Sequence, residues 1–268
     1  MNTDPTPRYP IGDVADRTGV NPVTLRAWQR RFGLLNPGRT AKGHRLYSEL
    51  DIERIRQILG WLEKGVAISQ VKALLDEPHA APAGDPWREL QQALTRATVT
   101  LNRERLYREL DQLTALYPFE LAADKALRPW IAALQPQLQP RPDGDLLLAW
   151  AHQQLELYLA GRTLRAQQQL PGEAALLLLL RGTPLEDALT ACALSLGGER
   201  FSQLTLSSLD GCQLLPAQRV LCSLPARLHG GERRVLERIR QRGASLTAVG
   251  PLAAVYRDDP LFKEADHG

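Results

Sequence analysis

The sequence predicts a multidomain, mostly α-helical chain with a small α/β domain at its C-terminal end. Apolar residues recur at helical spacing through residue 170, and short apolar runs then alternate with helical segments from residue 171 onward. A length of 268 residues suits one large or two to three small domains, and 44% hydrophobic with 24% charged residues is ordinary for a globular protein. Its formal net charge of +3 is too small to indicate a nucleic-acid partner, so that inference depends on where the charges are concentrated.

Residues 1–8 are predicted to be a disordered lead, that is, an N-terminal segment without regular structure. The sequence after them predicts two short helices joined by a tight turn. The first ends at Gly19, and its apolar positions recur at helical spacing: Ile11, Val14 and Ala15. Asn21-Pro22 starts the second, because Asn caps free backbone N–H groups and Pro at the first helical position loses no hydrogen bond. We expect helix two to end near Phe32, with Val23, Leu25 and Trp28 facing inward. Its outward side chains are expected to be Thr24, Arg26, Gln29, Arg30 and Arg31.

A small hairpin, or wing, is predicted between Gly33 and Tyr47. Pro37, Gly38 and Gly43 disfavour a helix, and the residues between them favour short extended pieces. Two further helices are predicted, from Glu49 to Gly65 and from Ser69 to Leu75, with these apolar positions: Ile52, Ile55, Ile58, Leu59, Leu62, Val71, Leu74 and Leu75. The first two helices are joined by a tight turn and the second is basic, which predicts a helix-turn-helix. The hairpin adds a wing, and the two further helices supply a core.

Positive charge is concentrated between Asn21 and Tyr47. No acidic residue occurs between Arg17 and Glu49, whereas six cationic residues do: Arg26, Arg30, Arg31, Arg39, Lys42 and Arg45. They are interleaved with Trp28, Phe32, His44 and Tyr47. A phosphate backbone attracts this pattern, which predicts a nucleic-acid-binding surface.

The segment Thr24–Leu34, followed by Pro37, Arg39-Thr40 and Gly43–Tyr47, resembles the DNA-binding domain of the MerR family, and within it the CarA-, CarH- and MlrA-like branch. Typical members carry two tyrosines after the Arg of helix two and one residue fewer before the Gly. Here Ala27-Trp28 replaces the tyrosines and an extra residue precedes Gly33. The resemblance covers residues 9 to about 75. It implies a homodimer on an inverted repeat of double-stranded promoter DNA, with helix two in the major groove and the wing beside it.

The same resemblance and the side-chain chemistry predict the residues that bind DNA. Arg30 and Arg31 are expected to touch base edges or phosphates, and Thr24 and Arg26 base edges or the backbone. The wing residues are expected to bind phosphates or enter the minor groove: Arg39, Lys42, His44, Arg45 and Tyr47. Trp28 is also predicted to touch DNA. Alternatives stay open, because Trp28 and Tyr47 also suit a packing role, Arg26 suits a salt bridge to the third helix, and His44 suits a plain surface position.

The middle of the chain predicts a linker and a four-helix bundle. Residues 78–86 are rich in Ala, Pro and Gly, and helical patterns fill residues 87–170. A polar break at Gln135 to Asp143 is expected before the last, long helix.

Residues 171–268 predict a small Rossmann-like, flavodoxin-like domain with a parallel sheet. The run Ala174–Leu180 lies between Gly172 and Gly182 and suits a buried strand, with a buried helix as the alternative. The further strands are expected at 201–207, 219–224 and 246–250, and the helices at 184–196 and 232–242.

A helical bundle before such a domain resembles the cobalamin-binding module of CarH-like light sensors. That module carries DxHxxG after its first strand, where the His binds cobalt, but here the turn is Arg181-Gly182-Thr183-Pro184-Leu185-Glu186. The Glu-His pair of its bundle is missing, and so is the double Gly after the fourth strand, since Pro251 follows Gly250. We therefore expect no cofactor. Resemblance to the MlrA-like branch implies a docking surface for a signalling protein, either a photoreceptor or a cyclic-di-GMP-related protein; the alternative is a direct cobalamin or other small-ligand sensor.

Other functions find less support in the sequence. The turn after the first strand of the α/β domain has one Gly and no GxGxxG, which argues against a nucleotide-using enzyme, the remote alternative. Cys192, Cys212 and Cys222 are far apart and suit buried, reduced thiols rather than a metal site. The charged run 232–242 suits a solvated helix face better than a second nucleic-acid patch. A polar N-terminus and a leucine run too short for a bilayer predict a cytoplasmic protein.

Together these patterns predict a dimeric, sequence-specific transcription regulator that is not an enzyme. Its second half is expected to support the dimer and receive the signal. Whether it activates or represses is open.

Overall fold

The computed structural model describes residue 6 and residues 8–76, 85–216 and 218–262, and it divides into two compact units, residues 1–152 and 153–268. The predicted lead at 1–8 and the predicted linker at 78–86 lie mostly outside the described residues. Among the residues described, no helix combines the length and the apolar character needed to cross a membrane.

The first unit begins with the two predicted short helices. Helix α1 ends against Gly19, whose φ of 70° is in the left-handed region that favours glycine. Asn21 caps α2 by accepting the Thr24 N–H at 2.9 Å, and Pro22 occupies the first turn. Helix two continues beyond α2 as a π-helical turn, which holds one residue more per hydrogen-bonded ring than an α-helix. The bounds are α1 Ile11–Thr18, α2 Pro22–Ala27 and the π-turn Trp28–Phe32.

The predicted wing hairpin is confirmed, within a three-stranded antiparallel sheet. Strand β3 (Arg45–Tyr47) lies between β1 (Tyr9–Pro10) and β2 (Gly38–Arg39). Tyr9 is opposite Tyr47, and Arg39 is opposite Arg45. Strand β1 was not predicted, because two residues before a helix give no alternating pattern.

Two helices complete the core beneath this sheet. Helix α3 (Glu49–Glu63) begins with a capping box between Ser48 and Asp51, and α4 (Ile68–Asp76) follows. The predicted apolar stripe of α3 is buried at Ile52, Ile55, Ile58 and Leu62.

The four predicted helical segments are present, and the third of them is divided into α7, a π-turn and α8. The predicted break at Gln135 begins too early, because α8 continues through Pro136 to Leu138. Leu134 and Leu138 are both buried, and this packing outweighs the hydrogen bond that Pro136 removes. The bounds are α5 Pro86–Val99, α6 Arg103–Leu116, α7 Phe119–Ala122 with a π-turn at Ala123–Leu127, α8 Arg128–Leu138 and α9 Gly144–Gln167.

The second unit contains a four-stranded sheet in which every strand pairing is parallel. Its order is β5-β4-β6-β7, so β4 and β6 are central and β5 and β7 are edges among the described residues. The first apolar run is therefore a strand, as predicted, and the helical alternative was wrong. The bounds are β4 Ala175–Leu180, α10 Pro184–Leu196, β5 Phe201–Leu206, β6 Arg219–Ser223, α11 Gly230–Gln241 and β7 Ser245–Val249.

Each face of this sheet packs against one helix. Leu177, Leu179 and Leu221 pack with Ala191 of α10, whereas Leu178 and Val220 pack with Leu236 of α11. All three cysteines are buried and free, as predicted. Burial raises the pKa of Cys192 to about 11 and that of Cys222 to about 12.

Candidate nucleic-acid interface

The outer end of helix two presents two free guanidinium groups. Arg30 and Arg31 are exposed, and neither forms a hydrogen bond or an ion pair with any part of the chain that the structure describes. They lie in the π-turn, directly after Trp28, whose side chain is fully buried. A buried indole therefore anchors the same turn that presents both cations.

The wing presents a second group of exposed side chains, two of them cationic. Thr40 and Gly43 form its tight turn: the Gly43 N–H donates to the Thr40 carbonyl at 2.8 Å, and Gly43 has a left-handed φ of 82°. Lys42 and His44 are exposed at this turn without a side-chain partner among the described residues. Arg39 is exposed, and its guanidinium donates to the Gly43 carbonyl at 3.2 Å across the hairpin.

One hydrogen bond connects the wing to helix two. The Nε of Arg45 donates to Oε1 of Gln29 at 2.7 Å, and both side chains are partly buried. Arg45 was predicted to bind phosphate or enter the minor groove, and in the structure its Nε connects the wing to helix two. Gln29 was not predicted as a site residue, because only the folded hairpin brings the two residues together.

Three of the side chains predicted to touch DNA are buried in this unit. Thr24, Trp28 and Tyr47 have 0% exposure, and the hydroxyls of Thr24 and Tyr47 have no hydrogen-bond partner among the residues described. Trp28 and Tyr47 are therefore packed inside the domain, as in the alternative that gave them a packing role. Burial raises the pKa of Tyr47 above its ordinary value.

The predicted orientation of two helix-two residues was wrong. Thr24 was expected outside and is buried, whereas Val23 was expected inside and is 59% exposed. Leu25 and Trp28 define the inward face, and Thr24 lies one turn before Trp28 on that face. Arg26 is partly buried, and within the described residues it makes no ion pair with α3, so the salt-bridge alternative was wrong as well.

Helix two is also attached to the helical segments that follow it in the first unit. The Trp28 indole N–H donates to the Leu116 carbonyl of α6 at 2.8 Å in a fully buried hydrogen bond. The Ile68 N–H, at the start of α4, donates to the Tyr117 hydroxyl at 3.5 Å. Tyr117 in turn packs on Trp87 of α5, with ring centroids 4.6 Å apart. No local pattern could predict these interactions, since 88 residues separate Trp28 from Leu116.

The N-terminal part of the chain matches a known protein family. Residues 9–78 match the family model described as MerR HTH family regulatory protein. The N-terminal domain is a MerR-type helix-turn-helix. The match contains α1, helix two, the wing, α3 and α4, so the exposed cations described above belong to the MerR domain.

Some known proteins are similar to this chain over more residues than the MerR domain contains. The chain is 42% identical over 135 residues to the HTH-type transcriptional regulator MlrA of Salmonella typhimurium, which covers 49% of this chain and 55% of that protein. It is 51% identical over 86 residues to MlrA of Escherichia coli, covering 32% and 35% of the two chains. It is 30% identical over 159 residues to the HTH-type transcriptional repressor CarH of Myxococcus xanthus, covering 54% and 51%. The chain thus spans about half the length of the curated relatives it matches, or less.

The turn after β4 does not fit a cobalt site of the kind that the CarH-like resemblance suggested. It offers no imidazole, and its first residue, Arg181, is paired with Glu232 of α11 at 2.8 Å. The space beside Gly182 is occupied, because a Cβ there would overlap Oδ1 of Asp187. Among the described residues, no group of three His, Cys, Asp or Glu side chains is placed to hold a metal ion.

Proposed function

We propose that this protein is a sequence-specific, DNA-binding transcription regulator that acts as a homodimer on an inverted repeat in promoter DNA. The observation that carries the proposal is a set of exposed side chains without a partner in a MerR-type domain: the cations Arg30 and Arg31 on helix two and Lys42 on the wing, with the imidazole of His44 beside Lys42. Side chains without a partner in the described protein are free to pair with phosphates and base edges. MlrA and CarH, which the chain resembles, are named as transcriptional regulators. Action on promoter DNA implies a cytoplasmic site of action.

The proposal assigns different roles to the residues predicted to bind DNA. Arg30 and Arg31 read base edges in the major groove, with Arg26 beside them at the edge of the protein core. Arg39, Lys42 and His44 bind phosphates beside the groove. Arg45 holds the wing against Gln29, and the buried Thr24, Trp28 and Tyr47 support the reading surface from within.

We also propose how DNA binding is controlled. The second unit supports the dimer and receives a signal from a partner protein. What favours a partner over bound cobalamin is the turn after β4, which offers no imidazole and in which Arg181 is paired with Glu232.

A binding experiment tests the DNA assignment. Genome-wide footprinting in the host first defines the operator, and its affinity for the purified chain is then measured at fixed salt. Arg30→Ala combined with Arg31→Ala should weaken specific binding by ~1 to 3 kcal/mol for each arginine that hydrogen-bonds to a base edge.

The matched control changes two exposed arginines of α11, Arg234→Ala with Arg238→Ala, which removes the same charge from another helix. It should leave specific binding within experimental error. Equal weakening in both double variants would mean that helix two is not the reader and that net charge alone sets the affinity.

A further inference from the structure

The second unit contains a cavity to which the proposed function assigns no role. It has a volume of about 690 Å³ and lies between the end of α9, helix α10 and edge strand β5. Binding sites for small molecules usually measure about 300 to 1,000 Å³. Its walls are mainly apolar, with Leu164 from α9, Ala191 from α10 and Phe201 from β5.

One wall of the cavity carries a buried acid. Asp187, in the first turn of α10, is only 8% exposed and lines the cavity. Its carboxylate accepts a long hydrogen bond from the Thr205 hydroxyl at 3.5 Å, and no basic side chain of the described residues pairs with it. A buried carboxylate is normally paired with a cation or several donors. Burial raises the pKa of Asp187 above its ordinary value.

The chain is shaped around this carboxyl group. A Cβ at Gly182 would overlap Asp187 Oδ1, and Gly182 does not have the left-handed φ that would otherwise explain a glycine. The absence of a side chain at residue 182 therefore gives the carboxylate its position beside the cavity. The start of α10 also favours a negative charge there, because the helix dipole is positive at its N-terminus.

The wall of the cavity formed by α9 is held in place by hydrogen bonds. The side-chain amide of Gln167, at the end of α9, donates to Ser195 Oγ at 2.9 Å and to the Glu199 carbonyl at 2.7 Å. Its Oε1 accepts the Phe201 N–H at 3.1 Å. Three hydrogen bonds from one side chain thus connect α9 to α10 and β5 and hold the cavity open.

We infer that this cavity binds a small, largely apolar molecule that carries one protonated amine, with Asp187 as the anion that receives the ammonium group. The apolar walls accept the body of such a ligand. The hydroxyls of Thr163 and Thr205 and the amide of Gln203 line the same cavity and can accept the remaining N–H donors.

Calorimetric titration of the full-length chain tests the site. The probes are benzylamine, 2-phenylethylamine and tyramine, with 2-phenylethanol as the uncharged analogue. At least one amine should bind saturably, and the alcohol should bind at least about tenfold more weakly, because it cannot form a charge-assisted hydrogen bond. Failure of all three amines to saturate, or equal binding of the amine and the alcohol, would overturn the inference.

Variants separate this site from non-specific attraction of amines to acids. Asp187→Asn should weaken amine binding about tenfold or more. Asp145→Asn, at an exposed acid in the first turn of α9, should leave it unchanged. Ala160→Leu adds bulk to the cavity wall from an exposed position of α9 and should abolish binding without affecting the fold. Wild-type amine affinity in both Asp187→Asn and Ala160→Leu would contradict the assignment. DNA binding plays no part in these measurements, so their outcome is independent of the proposed function.

Discussion

Trp28 joins helix two to a carbonyl group in α6. Its indole N–H and the Leu116 carbonyl are both buried, so each depends on the other for its hydrogen bond. The residue therefore contributes more than apolar area to the first unit.

Trp28→Phe should destabilise the first unit, because phenylalanine keeps most of the packing but leaves the Leu116 carbonyl unsatisfied. The expected decrease in the free energy of unfolding is about 1 to 3 kcal/mol, measured by urea denaturation of the full-length chain. The control is Trp61→Phe, since Trp61 is only partly buried and its ring lies against the ammonium group of Lys64. Equal decreases in the two variants would mean that the indole hydrogen bond adds nothing.

The exposure of the charged side chains could be predicted from their chemistry alone. The exposure of Arg30, Arg31 and Lys42 follows from the cost of burying an unpaired charge. The orientation of Val23 and Thr24 failed because hydrophobicity assigns the apolar residue to the inside, whereas the positions of Leu25 and Trp28 around the helix determine which neighbours are buried.

Helix two is stabilised by its N-terminal cap. Asn21 accepts the Thr24 N–H and is followed by Pro22. The chain offers a close comparison, because Asn36 also precedes a proline but is exposed and starts no helix.

Asn21→Ala should lower the free energy of unfolding by about 1 kcal/mol, the usual effect of removing an N-cap side chain. Thermal unfolding followed by circular dichroism measures the effect. Asn36→Ala should change it by much less. If both changes had the same effect, general solvation of Asn-Pro segments would explain it and capping would not.

Local signals of this kind account for most elements that could be predicted. Gly19, Asn21-Pro22 and Gly43 specify a helix end, a helix start and a turn through their own backbone preferences. The π-turn at Trp28–Phe32 was not predicted, because its five residues look like a continuation of helix two. Strand β1 was missed because only its pairing with β3 defines it. The Gln29–Arg45 and Trp28–Leu116 hydrogen bonds were missed for the same reason, since they join segments that are distant in sequence.

For the whole molecule, buried weak acids predict how stability changes with pH. Burial raises the pKa of Cys192 and Cys222 to about 11 and about 12, and it also raises the pKa of Tyr117. In the unfolded chain these thiols titrate near the ordinary value of 9.0. Their neutral forms therefore stabilise the fold fully below pH 9, and this contribution disappears as the pH rises towards the folded-state values.

The free energy of unfolding should consequently fall between pH 8 and pH 10 by about 1 kcal/mol for each of the Cys192 and Cys222 thiols. Urea denaturation at the two pH values measures the change. Cys222→Ala should show a smaller fall than the parent chain, after allowing for its own lower stability at pH 8. An identical fall in parent and variant would show that the Cys222 thiol does not contribute.

The buried hydrogen bond between Trp28 and Leu116 has a thermodynamic consequence for regulation. Within the first unit, helix two and α6 share this bond, so a displacement of either helix changes the energy of the other. Linkage is reciprocal: whatever alters operator affinity by moving α6 must itself be bound more tightly or more weakly by the same factor when the operator is present. A signal that releases the protein from DNA would therefore be held most weakly by the DNA-bound molecules, and its apparent potency would depend on how many operators the cell contains.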